Sequence, residues 1–293
     1  MKKIIFRSYN RRGSAVNRGQ DISEQLKVLG YDSEFLIGKS DDTDITNVWN
    51  TLHDSIVVFI KSCTSREFEI LKRNNNILIL DIVDAVANGD YSIHDVCALP
   101  WTGIITPTIE MTIAINHINK NINAVFIPHH WDKRHLANID KFNKDSFSLA
   151  YIGSLGHDGG LFYEEQIPEL TIVNEWGAQT STSPMYTCHY SVRPSDTAQF
   201  LFKPNTKIST AAAVGSNIVH SYDVAAMNLV PPDYPYFTKS DSTSIRDTIE
   251  YAKETYGGAV WQYGLNIMAD LKHRTSLEVV VNIDYVNYLK TFN

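Results

Sequence analysis

Phe202-Lys203-Pro204-Asn205-Thr206-Lys207-Ile208-Ser209-Thr210-Ala211-Ala212-Ala213-Val214-Gly215-Ser216-Asn217-Ile218-Val219 reads as one complete helix-to-strand unit. Asn205 or Thr206 can cap the helix, because a short polar side chain accepts from its first free N–H groups. The run Ala211 to Ala213 keeps the helix slim enough to lie close on a sheet, and Gly215 supplies the left-handed residue that ends it. Asn217-Ile218-Val219 then forms a strand.

Working outward, the same alternation recurs along the whole chain, which is the mark of α/β layering over a parallel sheet. Ile4-Ile5-Phe6, Glu34–Ile37, Ile56–Ile60, Ile77–Leu80 (ending at Asp81), Gly103–Ile105 and Ala124–Ile127 are strands. Between them, Ile22, Leu26 and Leu29 share one helix face that stops at Gly30, Arg66–Lys72 is a short helix, and Pro107 opens another that runs to about Asn119. Trp131–Ser146 is polar and without apolar period, so the linker is placed there. A second series follows: strand Phe147–Ile152 running into Gly153-Ser154, strands Leu170–Val173 and Cys188–Val192, the unit quoted above, and a helix marked by Ile245, Ile249, Ala252 and Tyr256 with Ser242 or Ser244 as its cap. Ser276–Phe292 has the length of a helix, although Val279-Val280-Val281 is β-branched. The expectation is an α/β chain of two Rossmann-like parallel-sheet domains, 1–145 and 146–293, facing each other across a cleft, with the last helix able to pack back on the first domain.

Composition narrows the function. The 293 residues are 43% apolar and 20% charged, as in an ordinary globular protein. The net charge of −7 comes mostly from the latter half, and an acidic chain is a poor partner for nucleic acid. Lys2, Lys3, Arg7, Arg11, Arg12 and Arg18 form a basic opening stretch without an acid. It reads either as a solvated terminus or as a site for phosphate or anionic lipid, which leaves peripheral membrane contact open. Cys63, Cys97 and Cys188 lie too far apart for a zinc site or disulfide framework, and nowhere do 18 apolar residues run together, so a cytoplasmic protein is expected.

Ligands of open parallel sheets sit beyond the C-terminal strand ends. The start of the Asn205–Val214 helix is such a place, where free N–H groups favour an anion and Lys203 and Lys207 add two charges suited to a diphosphate. The competing reading is a capped, close-packed helix with solvated lysines. Asp42-Thr43-Asp44 matches the D-x-D of metal-dependent donor sites, but Asp44 more simply caps a helix. No Gly-x-Gly-x-x-Gly follows the first strand, and neither a G-x-S-x-G elbow nor a P-loop is present.

The quoted stretch resembles the donor-site segment of GT-B glycosyltransferases, in which a Lys- or Glu-bearing helix of the form K…A-x-A-x-G-x-P-I-I grips the nucleotide sugar, with Asn217 here in the place of that proline. Asp81-Ile82-Val83-Asp84 is similar to the D-x-x-D at the end of that family's fourth strand. Val125-Phe126-Ile127-Pro128-His129-His130-Trp131-Asp132 is similar to the element before its linker, and Ala150-Tyr151-Ile152-Gly153-Ser154 to the turn that opens its donor domain. The order covers most of residues 1–260. The resemblance implies a glycosyltransferase of the hexosyltransferase class, taking a nucleotide-diphosphate sugar and needing neither cofactor nor metal. The diphosphate would lie across Gly153 and Ser154 and the Thr206–Lys207 helix start, with Lys203, Arg193 and Tyr222 nearby. If the reaction inverts, a base must deprotonate the acceptor, with Asp84 the first choice and His129 and His130 the second. Arg11 and Arg12 would face the acceptor, whether glycan, lipid-linked or a small molecule. Phe202 and Thr210 stand where retaining relatives carry glutamates, so the resemblance leaves the stereochemistry open.

Two other classes fit the same pattern. One is a nucleotide-sugar epimerase or hydrolase, which would act on the donor alone. The other is a non-catalytic nucleotide- or sugar-binding module, which would turn nothing over.

Overall fold

A computed structural model describes residues 1–10, 13–38, 43–83, 93–137, 139–142, 144–153, 167–193 and 202–292. The first elements are β1 (Ile4–Ser8), α1 (Gly13–Ala15), a π-helical stretch Val16–Asp21, α2 (Ile22–Val28), β2 (Ser33–Ile37), α3 (Thr43–Thr51), β3 (Ile56–Ile60) and α4 (Ser65–Arg73). They continue with β4 (Ile77–Asp81), α5 (Ile93–Ala98), β5 (Gly103–Thr106), α6 (Ile109–Ile118) and β6 (Asn123–Phe126). After these come β7 (Leu149–Ile152), β8 (Thr171–Val173), α7 (Trp176–Thr182), β9 (Cys188–Ser191), α8 (Thr206–Ala213), β10 (Asn217–Ser221), α9 (Val224–Met227) and β11 (Phe237–Thr238). The chain closes with α10 (Ser242–Glu254), α11 (Ala259–Arg274), α12 (Leu277–Val279), a second π-helical stretch Val280–Tyr285 and α13 (Val286–Lys290). By contacts it divides into two units. The first is Met1–His130, Phe202–Pro204 and Ser276–Asn293; the second is Trp131–Leu201 and Asn205–Thr275.

The first unit holds a parallel sheet in the order β2-β1-β3-β4-β5-β6. Successive side chains of a strand point to opposite faces, and β3 shows why its run is unbroken. Ile56, Val58 and Ile60 enter one core with Phe6, Leu26, Tyr285 and Leu289, while Val57 and Phe59 enter another with Trp49, Phe68, Trp101 and Met111. Each such fully buried side chain stabilises by roughly 1.5–3 kcal/mol. The closing helices lie in the first of these cores, and α13 comes so close to β5 that a Cβ on Gly103 would sit 2.1 Å from the Tyr288 hydroxyl. Gly30, at φ +84°, ends the helix before β2 as its place in the sequence requires. Pro107 does not open α6: Thr108 does, its side chain accepting from Met111 N at 3.2 Å.

Part of the basic opening stretch is structural, and neither reading of it holds for Arg7 or Arg18. Arg7 is fully buried, with Nε and Nη2 on Glu67 Oε1 at 3.1 and 3.0 Å. Glu67 also accepts from the Trp49 indole at 3.1 Å and from Tyr9, and it completes a capping box with Thr64 at the start of α4. Arg18 is equally buried against Asp81, and Lys3 pairs with Glu34 at 2.9 Å. Burying a charge is tolerated only when a partner meets it.

The second unit holds a parallel sheet in the order β11-β10-β9-β7-β8. Counted from β7, that is the strand order 2-1-3-4-5 which the first unit also has over β1 to β5. The three alanines of α8 are at most 1% exposed and pack with Tyr151, Tyr190 and Trp261 or beside them. On α11, a Cβ on Gly264 would come within 2.5 Å of Asn217 Oδ1. Asp241, rather than Ser242 or Ser244, caps α10, accepting from Ser244 N at 2.9 Å.

The Trp131–Ser146 segment is not a free linker. Trp131 donates its indole N–H to Lys272 O at 2.9 Å and its backbone N–H to Thr275 O at 3.1 Å, closing the end of α11. Lys144 Nζ reaches Val214 O at 2.8 Å and Ser216 Oγ at 2.9 Å beyond α8, where cations suit the terminal carbonyls. Polar bonds hold the segment to the second unit, so it shows no apolar period.

Candidate functional site

The order of the second sheet has a reversal at β7. The chain leaves β7 outward to β8 and then returns to pair β9 on the other side, and at such a switch point the loops diverge beyond the strand ends. Gly153 closes β7, Arg193 follows β9, and α8 connects β9 to β10. Lys207, in the first turn of α8, lies with Nζ 5.1 Å from the centroid of the Tyr151 ring. A Cβ on Gly153 would sit 2.8 Å from Lys207 Cε, so glycine is what lets the lysine cross this strand end. Arg193 is 5% exposed, and its backbone is fixed by Ser221 and Ser240, whose hydroxyls bond its N–H and C=O.

The start of α8 is uncapped by its own sequence. Asn205 occupies the cap position but makes no side-chain cap bond. Its amide instead donates to Asp223 Oδ1 at 3.4 Å, and that same oxygen caps α9 by accepting from Ala226 N at 2.7 Å. The positive end of the α8 dipole thus carries no side-chain cap, and the Ile208 amide turns back to Asn205 O at 3.0 Å.

Around them stand buried polar atoms with no hydrogen-bond partner among the described residues: Ser191 Oγ, Asn205 Oδ1, His220 Nε2 and Asp223 Oδ2. Buried polar atoms are normally paired, so a group of four marks a place that a ligand or water completes. His220 is fully buried, and its Nδ1 lies 2.9 Å from the Ser221 carbonyl oxygen, to which it can only donate. Nε2 is then a bare acceptor. Burial first, then the opposing field of Asp223 and the repulsion of Arg193 and Lys207, leave its pKa lowered to about 4, so the ring is neutral near pH 7. His220 therefore shares the field of both cations. Sequence reasoning missed it, because nothing in Asn217–Ser221 distinguishes a site histidine from a core one.

The other expected residues are distributed as follows. Thr206 is exposed at the first position of α8, and Tyr222 is 53% exposed, edge-on to Phe237 at 5.4 Å. Lys203 groups with the first unit and Lys207 with the second. His129 is buried in the first unit, and His130 places Nε2 2.7 Å from Asn17 O. Arg11, Arg12, Asp84 and Ser154 lie outside the described residues, as does Asp42; Asp44 sits in the first turn of α3. Among the described residues no three His, Cys, Asp or Glu side chains gather as a metal would require.

No protein-family profile and no curated protein matches the sequence. Solved structures do. A glycosyltransferase from Rickettsia africae ESF-5 aligns over 99% of this chain and 98% of its own, with a TM-score of 0.73 at 9% identity. Sucrose-phosphate synthase from Thermosynechococcus elongatus aligns over 100% and 99%, with a TM-score of 0.72 at 11% identity. Anabaena Alr3699/HepE in complex with UDP aligns over 99% and 100%, with a TM-score of 0.71 at 13% identity, and it is also known with UDP-glucose. The fold is GT-B. In GT-B terms, the six-stranded unit is the N-terminal domain and the five-stranded unit the C-terminal one, where the uncapped helix lies. The quoted stretch around α8 thus had the fold legible in it, while identities of 9–13% explain why no sequence relative is found.

Proposed function

We propose that the chain is a glycosyltransferase that takes a sugar from a nucleotide diphosphate held by the second unit. The observation that carries this is the uncapped start of α8, with Lys207 crossing Gly153 and Arg193 fixed beside His220. A diphosphate matches it: the positive end of a helix without a side-chain cap and two cations meet an anion that gains charge as it leaves. HepE in its UDP and UDP-glucose complexes shares the fold, and a uridine donor is the reading this supports.

In the reaction an acceptor hydroxyl loses its proton to a base, its oxygen bonds the anomeric carbon, and the bond from that carbon to the diphosphate breaks, the electron pair leaving with the phosphate. Lys207, Arg193 and the α8 amides meet that charge, and in this reading no metal is needed. Losing one such donor costs about 2–4 kcal/mol in barrier, by analogy with single oxyanion donors. Asp84 remains the base proposed from sequence. Cys63, Cys97 and Cys188 are free thiols, which suits a cytoplasmic enzyme, and among the described residues no helix is long and apolar enough to cross a membrane.

The test is turnover. Purified protein is incubated with UDP-glucose, UDP-galactose or UDP-N-acetylglucosamine in EDTA, with and without a pool of mono- and disaccharides, and UDP release is followed. The reading expects release that rises when acceptors are added and persists in EDTA. Release that is indifferent to every acceptor points to a hydrolase, and no release from any donor overturns the reading.

A further inference from the structure

The C-terminal edge of the first sheet carries a second group of polar atoms that the donor reading does not use. Arg18, on the π-helical stretch Val16–Asp21, is fully buried. Its Nε donates to Asp81 Oδ2 at 2.9 Å, and its Nη1 to the carbonyls of Ile127 at 3.3 Å and Pro128 at 2.9 Å. His130 ties the same two segments together through Asn17 O. His129, next in the chain after Pro128, is therefore beside Arg18. The His129 ring bonds the backbone of Val83, and burial, then the charge of Arg18 and the field of His130, hold its pKa well below the usual histidine value. It is neutral, with the bonded nitrogen carrying the hydrogen. Three atoms here have no hydrogen-bond partner among the described residues: Arg18 Nη2, His129 Nε2 and Asn17 Oδ1.

The chemistry of these atoms is specific. Arg18 Nη2 only donates; a neutral His129 Nε2 and Asn17 Oδ1 only accept. A hydroxyl satisfies a donor and an acceptor at once, because its oxygen accepts and its O–H donates. A phosphate, even with one O–H turned to the bare nitrogen, would bring a negative charge that Arg18 would have to meet. It would also meet Asp81, which already balances Arg18, and Asp284, a half-buried carboxyl within the field of the same guanidinium.

We propose that Arg18 and His129 form a recognition point for a hydroxyl group of an uncharged, polyhydroxylated acceptor, Arg18 donating to the hydroxyl oxygen and His129 Nε2 taking its O–H, with Asn17 serving a neighbouring hydroxyl. This rests on the transferase reading and narrows its acceptor to a neutral sugar. His129 acts here as a positioning group: the fixed charge of Arg18 beside it makes an imidazolium costly, so it holds the hydroxyl rather than removing the proton.

The experiment is saturation-transfer NMR on the full chain with methyl α-D-glucopyranoside, compared among wild type, His129→Phe and His129→Gln, and repeated with inorganic phosphate as competitor. Wild type is expected to show transfer. His129→Phe removes the acceptor and should weaken binding about tenfold, while His129→Gln, which restores one, should recover most of it. Phosphate should not compete. Transfer that is absent in wild type, equal in His129→Phe, or abolished by phosphate overturns the proposal. A thermal shift with UDP on the same samples separates the two readings, since it reports the second unit alone: a UDP shift without glucoside binding rejects only the acceptor site. Circular dichroism and urea unfolding of the same samples show that each variant is folded.

Discussion

Lys207 lies across Gly153, its Cε 2.8 Å from where a Cβ at that glycine would stand, and its Nζ 5.1 Å from the centre of the Tyr151 ring. Gly153→Ala therefore pushes the flexible end of one lysine aside, and it also places a Cβ on a backbone at φ +159°, which L residues rarely adopt. The expected outcome is a loss of roughly 10- to 100-fold in affinity for UDP, the worth of a charge-assisted contact, together with a fall of about 1–3 kcal/mol in stability from the strained backbone. Titration of UDP into folded wild type and variant checks this.

Arg18, Asp81 and Tyr285 make one buried unit. The tyrosine hydroxyl donates to the carboxylate oxygen that also receives Arg18 Nε, at 2.7 and 2.9 Å. Asp81→Asn should cost about 3–5 kcal/mol in urea denaturation, because it strands a buried guanidinium. Replacing both residues, as Arg18→Met with Asp81→Leu, should cost clearly less than the two single losses added together. Additive losses would show that the pair is not coupled.

Acid should destabilise the protein before its carboxylates titrate. Burial lowers His220 to about 4 and His189 to about 3, from an ordinary histidine value near 6.5. Below about 6.5 the unfolded chain binds protons that the folded one refuses, so stability is full above that pH and falls as pH drops towards 4. Each histidine contributes on the order of 3 kcal/mol to that fall. Urea unfolding at pH 7 and 4.5 measures it, and His189→Gln should flatten the difference. Equal stability at both pH values would contradict the burial of these rings.

Much of the fold was legible because its strands are runs that only burial on both faces explains. Ile56–Ile60 was read in full, and Ile77–Asp81 and Gly103–Ile105 to within a residue. Gly30 and Gly215 fixed helix ends through positive φ. The π-helical stretches were not legible, since their turn is set by tertiary contacts of Arg18 and Tyr285. Nor was α11 read, whose Gly264 weakens the helical pattern and is required by the approach of Asn217. At the site, Lys207, Arg193 and Gly153 announced themselves by type and by place after strands. His220 and the unused cap of Asn205 did not, because both depend on Asp223 and on packing that joins separate segments.

The donor-site claim is tested most directly by isothermal titration of UDP into wild type and Lys207→Met, each with EDTA and again with Mg²⁺. The account predicts binding to wild type that is the same with or without the metal, and at least about tenfold weaker in the variant. Identical affinities for the two proteins, or wild-type binding that appears only with Mg²⁺, would contradict it.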